Sequence, residues 1–455
     1  MKLLKTLMLL CTVVCAGCAK HGTPRNGPSP EFSPFGSYSL VRAARRARER
    51  DGIDITLTFS GGGTRAAAFA YGVLTALRDT QLTRHDSGDS VRLLDEVDTI
   101  SSVSGGSFTA AYYGLFGDRI FQDFEDEFLR RDVERDLLKA VLNPRGWFDG
   151  RGRTDDALAV YDKHIFKDAT FEDLKRPDAP LILINATDIA NGVRFSFLQE
   201  YFQMLCSDLD SYPVSHAVAA SSAVPLVFQP ILIENRTECN NTIPTWLKLA
   251  ERRGRKRPQL ADTVAGVRRY FDKDTHRFAH LVDGGVTDNL GLRAIYDLVE
   301  ISGGPKRFLR FMQRDTPRRI LVISLDASVP INSGISASSR LAGPATILNT
   351  MSGLQIHRSN SVTKDLISDT LQTWATELSD SGTPVDYYFV QLSFDQFDRQ
   401  ETVNLLDDIP TAFTLDDDQV DLLIKAGRDL LFKHPEFQRF IGNSVAGEAS
   451  SQTQQ

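Results

Sequence analysis

Three short clusters bring together a reactive hydroxyl, a run of backbone donors and a carboxylate. The first, Ser102-Val103-Ser104-Gly105-Gly106, sets a serine among small residues. On a tight turn between a strand and a helix such a serine exposes its oxygen, and the helix N-terminus beyond it favours developing negative charge. The cluster departs from G-x-S-x-G at Ser102, which is nearly as small as glycine. Taken alone it also fits a plain strand-to-helix turn. The second cluster, Ser60-Gly61-Gly62-Gly63-Thr64-Arg65, frees successive N–H groups to point at an anion. That anion is either a nucleotide phosphate or the oxyanion of a tetrahedral intermediate. A P-loop needs Gly-Lys-Ser/Thr, which is absent. The looser dinucleotide fingerprint ending in Ala fits from Gly61, but it wants an acidic residue ~20 positions on at the end of a second strand. Asp79 to Asp86 is polar and shows no strand. An oxyanion hole built by Gly61, Gly62 and Gly63 is the better reading, with Arg65 adding charge or fixing the loop. The third cluster, Asp283-Gly284-Gly285, follows Leu281-Val282 and puts a carboxylate at the end of a short apolar strand. Its alternative is an Asp that merely forms a turn.

These clusters need strands that end where helices begin, and the chain supplies them. Ile53 to Phe59 and Val97 to Val103 read as strands, each broken by glycine and followed by a helical segment, Arg65 to Leu77 and Phe108 to Leu115. Further strands are predicted at 181–186, 193–197, 319–325 and 387–392. Further helices are predicted at 121–142, 213–222, 292–301, 345–378 and 416–432. Strands alternating with helices predict an α/β fold with a mostly parallel central sheet and helices on both faces. Residues 235–278 break the rhythm and read as an insertion, with one helix near 242–253.

Together the clusters resemble the patatin-like phospholipase family: Gly-Gly-Gly-x-Arg after the first strand, Ser-x-Gly on an elbow, then Asp-Gly-Gly. Ala186-Thr187-Asp188 with Gly192 resembles the family's central strand pair. Ala219-Ala220-Ser221-Ser222-Ala223-Val224-Pro225 resembles its Ala-Ser-x-Ala-x-Pro block. The similarity covers about residues 53 to 300, with Ser102 and Ala66 standing where glycine is usual. The resemblance implies a three-layer α/β/α hydrolase acting on a phospholipid or lysophospholipid without a cofactor. Ser104 would be the nucleophile and Asp283 its direct general base, with Gly106, Gly284 and Gly285 in support. A histidine triad would instead need His357 or His434. His216 and His280 read as structural.

The surroundings narrow the class. In 455 residues with 42% hydrophobic and 24% charged side chains the composition is that of a globular protein. A net charge of −7 argues against nucleic acid as a partner. Five cysteines and eight histidines show no zinc spacing, so no metal is expected. Lys2 and Lys5 precede an apolar run at Leu7 to Val14, far short of the ~20 residues that span a bilayer. Cys15-Ala16-Gly17-Cys18 resembles a bacterial lipoprotein signal, which makes Cys18 the lipidation site, residues 1–18 the signal and the outer membrane the expected address. A periplasmic or secreted chain is the alternative. Residues 19–37, rich in Pro and Gly, read as a tether, 38–440 as the hydrolase domain, and 441–455 as a disordered tail. Cys206 and Cys239 are expected to pair in an exported chain. Two basic clusters, Arg42 to Arg48 and Arg252 to Arg257, are either solvated faces or contacts for anionic headgroups. The competing function is a non-catalytic envelope lipoprotein that binds lipid or joins an assembly complex.

Overall fold

The computed structural model describes residues 24, 26–29, 36–47, 52–84, 88–135, 158–224, 228–239, 242–330, 343–379 and 383–442. The signal segment with Cys18, Pro225 and residues 443–455 lie outside them. The strands are β1 (Ile53–Phe59), β2 (Gln81–Thr83), β3 (Ser90–Arg92), β4 (Thr99–Val103), β5 (Leu181–Asp188), β6 (Val193–Ser196), β7 (Ile231–Glu234), β8 (Phe278–Val282), β9 (Arg319–Asp326) and β10 (Asp386–Ser393). One sheet has the order β10-β9-β1-β4-β5-β8-β7, with β6 added beside β5, and β2–β3 is a separate hairpin. From β10 to β5 every pairing is parallel. Strands β6 and β8 run antiparallel to β5, and β7 antiparallel to β8.

Parallel strands are covered on both faces, so they read as continuous apolar runs. All of β5 is buried. In β9 the alternation of side chains divides the core: Leu321, Ile323 and Leu325 join the main cluster, whereas Val322 faces a second one. The helices that position the site or cover the sheet are α1 (Gly63–Asp79), α2 (Gly105–Phe116), α3 (Val214–Ser221), α4 (Thr245–Gly254), α5 (Pro258–Arg268), α6 (Leu292–Ser302), α7 (Pro344–Ser379) and α8 (Asp417–Lys433). Phe69 of α1, Phe108 of α2 and Leu423 of α8 enter the main cluster. Tyr296 of α6 with Leu371 and Trp374 of α7 close the other face around Val322. The result is the three-layer α/β/α arrangement expected from the sequence. No helix among the described residues is long and apolar enough to cross a membrane.

The structure differs from the sequence reading in several segments: the helix predicted at 121–142 breaks after Leu129, with 136–142 outside the described residues, and 441–442 are helical where a tail was expected. The insertion holds two helices, α4 and α5, because Pro258 starts a new helix at its first position, where a missing N–H costs nothing. Within the span read as a tether, Asn26 is buried and caps the end of β7. Its amide donates to Glu234 O at 2.9 Å and its Oδ1 accepts the Glu234 N–H at 2.8 Å. Pro28 bridges Ser207, so Asn26 to Ser29 lie docked on the body instead of free. A disulfide joins Cys206 and Cys239 at a Cα separation of 5.4 Å. It fastens the segment after β7 to the short helix Gln199–Met204.

Candidate active site

Strand β5 acts as the ruler for the site. Its parallel register pairs Asn185 with Val103, and its antiparallel register pairs Thr187 with Val282. The next residues, Ser104 and Asp283, therefore arrive level with Ala186 from opposite directions. Ser104 Oγ donates to Asp283 Oδ2 at 2.8 Å. Ser104 sits at φ 50° and ψ −122°, the strained turn that an elbow requires, and α2 starts at the next residue.

Ser221, at the end of α3, holds both reacting groups. Its Oγ accepts the Ser104 N–H at 2.8 Å and donates to Asn185 O at 2.6 Å. Its carbonyl accepts the Gly284 N–H at 3.0 Å, and Ala223 O accepts the Asp283 N–H at 3.0 Å. Asn185 ties the strand ends together, donating to Ser101 Oγ at 3.0 Å and Ser102 O at 3.1 Å. Neither polar residue stands out in sequence, although Ser221 lies inside the Ala-Ser block.

The glycine loop leaves β1 alongside the elbow. The Gly61 N–H is donated to Asn289 O at 3.0 Å, and the Thr64 N–H to Ala412 O at 2.9 Å. Gly61 is thus committed to anchoring the loop, which corrects its expected place among the oxyanion donors. The N–H groups of Gly62 and Gly63 have no acceptor among the described residues. Gly62 holds φ 141°, a conformation L side chains resist. Arg65 is 2% exposed. Its guanidinium donates to Ala327 O at 2.9 Å, Ile409 O at 2.6 Å and Thr411 Oγ1 at 2.8 Å. These bonds tie the start of α1 to Ala327 and to the 409–411 segment. Burial lowers the Arg65 pKa to about 10. Gly106 packs on Phe59 and Ser60.

Asp283 is half-buried, and desolvation of its carboxylate raises its pKa to about 6 from 3.8. Hydrogen bonds from the Gly285 N–H, at 2.7 Å to Oδ1, and from Ser104 offset part of that rise. Desolvation also raises Asp288 to about 6, against the opposing pull of Arg194 and Arg293. Its Oδ2 accepts the Ala294 N–H at 3.1 Å, which fixes the start of α6.

The histidines are engaged elsewhere. His357 is exposed on α7. His434 Nδ1 accepts the Glu436 N–H at 3.2 Å. His216 is buried 3.6 Å from Asp162, and the His280 N–H is donated to Asp188 at 3.1 Å. None is bonded to Ser104 or Asp283 among the described residues. No group of three or more His, Cys, Asp or Glu side chains there is placed to hold a metal ion. The site as built offers a hydroxyl on a carboxylate that is unusually ready to take a proton, beside two uncommitted N–H donors.

Comparison with known proteins adds a family. A family model described as Patatin-like phospholipase matches residues 57–296. Among solved structures, human GIVD cytosolic phospholipase A2 is 13% identical with a TM-score of 0.44, over 90% of this chain and 62% of that one. The same human enzyme in complex with methyl gamma-linolenyl fluorophosphonate is 13% identical with a TM-score of 0.39, again over 90% and 62%. The chain thus spans less than two thirds of the length of these structures. No curated protein matches it.

Proposed function

The chain belongs to the patatin-like phospholipase family, and from that membership we propose that it hydrolyses lipid acyl esters through a Ser104–Asp283 dyad, as a phospholipase A or lysophospholipase. The observation that carries this reading is the 2.8 Å bond from Ser104 Oγ to Asp283 Oδ2. Ser104 Oγ attacks the ester carbonyl carbon while its proton passes to Asp283. The carbonyl oxygen becomes an oxyanion and accepts from the Gly62 and Gly63 N–H groups, whose contribution is largest in the transition state. Collapse breaks the C–O bond, and Asp283 returns the proton to the departing lysolipid or glycerol oxygen. Water then attacks the acyl-Ser104 ester, giving up a proton to Asp283. Release of the fatty acid restores the serine.

A free carboxylate with a pKa near 3.8 is a poor base for a serine hydroxyl. Desolvation to about 6 narrows the gap. The anion-favouring N-terminus of α2 supports the charge that transfer creates. Among the described residues no histidine is bonded to Asp283 to support the histidine-triad reading. Cys18 we read as the lipidated residue, which would place the enzyme at a bacterial envelope membrane. Fatty-acid label entering the parent chain but not Cys18→Ser would support this, and equal labelling would remove it.

The test is turnover of phospholipid and lysophospholipid by Ser104→Ala and Asp283→Asn. Both are expected to fall at least ~10³-fold with the fold intact. Retention of about a tenth of parental turnover by either rules out the dyad.

A further inference from the structure

We propose that the N-terminal half of α7 is the surface that docks the chain on an anionic lipid aggregate, an inference that rests on the lipid-hydrolase reading above. The register of α7 on the sheet shows where that half goes. Asn360 Nδ2 donates to Asp326 at 3.2 Å and to Ser328 Oγ at 2.9 Å, and Lys364 pairs with Asp326 at 2.8 Å. Asp326 ends β9, which is parallel to β1 and β4, so this contact lies at the sheet edge that carries Ser104. From there the helix runs down the sheet face, burying Ile367, Leu371 and Trp374. In the other direction Pro344–Ser359 projects past the catalytic edge by about 20 Å, at ~1.5 Å per residue.

The projecting part exposes three large apolar side chains, beside the polar Gln355, His357 and Arg358. Ile347 is 46%, Met351 61% and Leu354 46% exposed, and Val362, 53% exposed, lies beyond them at the sheet edge. Their spacing of i, i+4, i+7 and i+15 confines them to an arc of about 80° on the helix. The stripe continues toward the dyad through Val286, 49% exposed on the one-turn helix Gly285–Asp288 that packs against α7. Contiguous exposed apolar surface of this kind marks an interaction site.

Charge selects the occupant. From Ala327 to Lys364 the chain has no Asp or Glu, though it carries 59 such residues in all; its charges there are Arg340, Arg358 and Lys364. The acidic residues of α7, Asp365, Asp369 and Glu377, all lie in the half that packs on the sheet. On this face of the helix Arg358 follows the apolar side chains and no acidic residue precedes Asp365, which fits a surface with anionic headgroups over acyl chains. Within the Arg252–Arg257 cluster, Arg253 and Arg257 are taken up by Ile301 and Glu300 at the C-terminal end of α6.

Two measurements on the full chain test this. Combining Ile347→Ser, Met351→Ser and Leu354→Ser is expected to leave hydrolysis of a dispersed monomeric p-nitrophenyl ester within about twofold, while hydrolysis of phosphatidylglycerol vesicles falls at least about tenfold. Separately, Met351→Trp is expected to add fluorescence that phosphatidylglycerol vesicles with brominated acyl chains quench. Unchanged vesicle hydrolysis in the triple variant, or no quenching at position 351, overturns the proposal. So does a dimer that the triple variant dissociates while vesicle turnover stays at the parental level, since the face would then belong to a second copy. A parent chain inactive on both substrates would sink the hydrolase reading, and the quenching would still decide docking.

Discussion

The backbone of Gly105 lies so close to that of Gly63 that a Cβ on Gly105 would overlap the Gly63 carbonyl. The turn at Ser104 and the glycine loop are therefore one packed unit, and the distance between Ser104 and the Gly62 and Gly63 N–H groups is set by two missing side chains. Gly105→Ala is expected to push the loops apart, costing ~2 kcal/mol or more in stability and nearly all turnover. Gly62→Ala differs in kind. Its φ of 141° adds strain of ~1–3 kcal/mol, and displacement of its N–H is expected to lower kcat by ~10²–10³ with KM little changed. Steady-state kinetics below each variant's melting temperature separates the two, and a pure KM effect at Gly62 would contradict its role as donor.

The raised pKa of Asp283 has two consequences for pH dependence. As a base it must be ionised, so kcat/KM is expected to fall on the acid side with an apparent pKa of about 6. Stability runs the other way. A carboxyl whose folded pKa lies above its ordinary value contributes its stability below about pH 3.8 and loses it as pH rises through about 6. Asp283→Asn is therefore expected to be more stable than the parent by ~1–3 kcal/mol near neutral pH, with the gain vanishing by about pH 4. Denaturant titrations across that range check the sign, and a variant less stable at neutral pH would contradict it.

Ser104 is held in a strained backbone conformation. At φ 50° and ψ −122°, a glycine would sit without cost where serine and alanine do not. Ser104→Gly is expected to exceed Ser104→Ala in stability by ~1 kcal/mol or more, both being inactive. Equal melting temperatures would show that the turn is not strained.

The Cys206–Cys239 bridge closes a loop with a sequence separation of 33. Chain entropy assigns such a loop ~3–4 kcal/mol. The Cys206→Ser, Cys239→Ser pair is expected to unfold at correspondingly lower denaturant, with the turnover of folded protein unchanged. A loss of turnover in the folded state would mean that the bridge also shapes the site.

The local parts of this site are legible in the sequence because glycine runs and strand ends are local facts. Gly62, Ser104 and Asp283 each announce themselves by their neighbours. What joins them is not local. The meeting of Ser104 and Asp283 depends on β8 running antiparallel to β5, and no pattern in Phe278–Val282 specifies direction. The loss of Gly61 as a donor depends on Asn289, an unremarkable polar residue until the chain folds. Ser221 was visible only as part of a block, and its hydrogen bonds to both the Ser104 and Gly284 N–H groups follow from where α3 ends. The second helix of the insertion shows only three strongly apolar positions, Leu260, Val264 and Val267, too few to separate it from loop by pattern alone, although Pro258 marks its start.

The central claim is that Ser104, activated by Asp283, is the nucleophile. Treatment of the full chain with an alkyl fluorophosphonate, followed by peptide mass spectrometry, tests it most directly. The expected result is one adduct, on the peptide containing Ser104, formed by the parent and lost in Ser104→Ala, with a rate in Asp283→Asn lower by ~10²-fold or more. An adduct on another residue, or equal labelling of the parent and Ser104→Ala, would contradict the account.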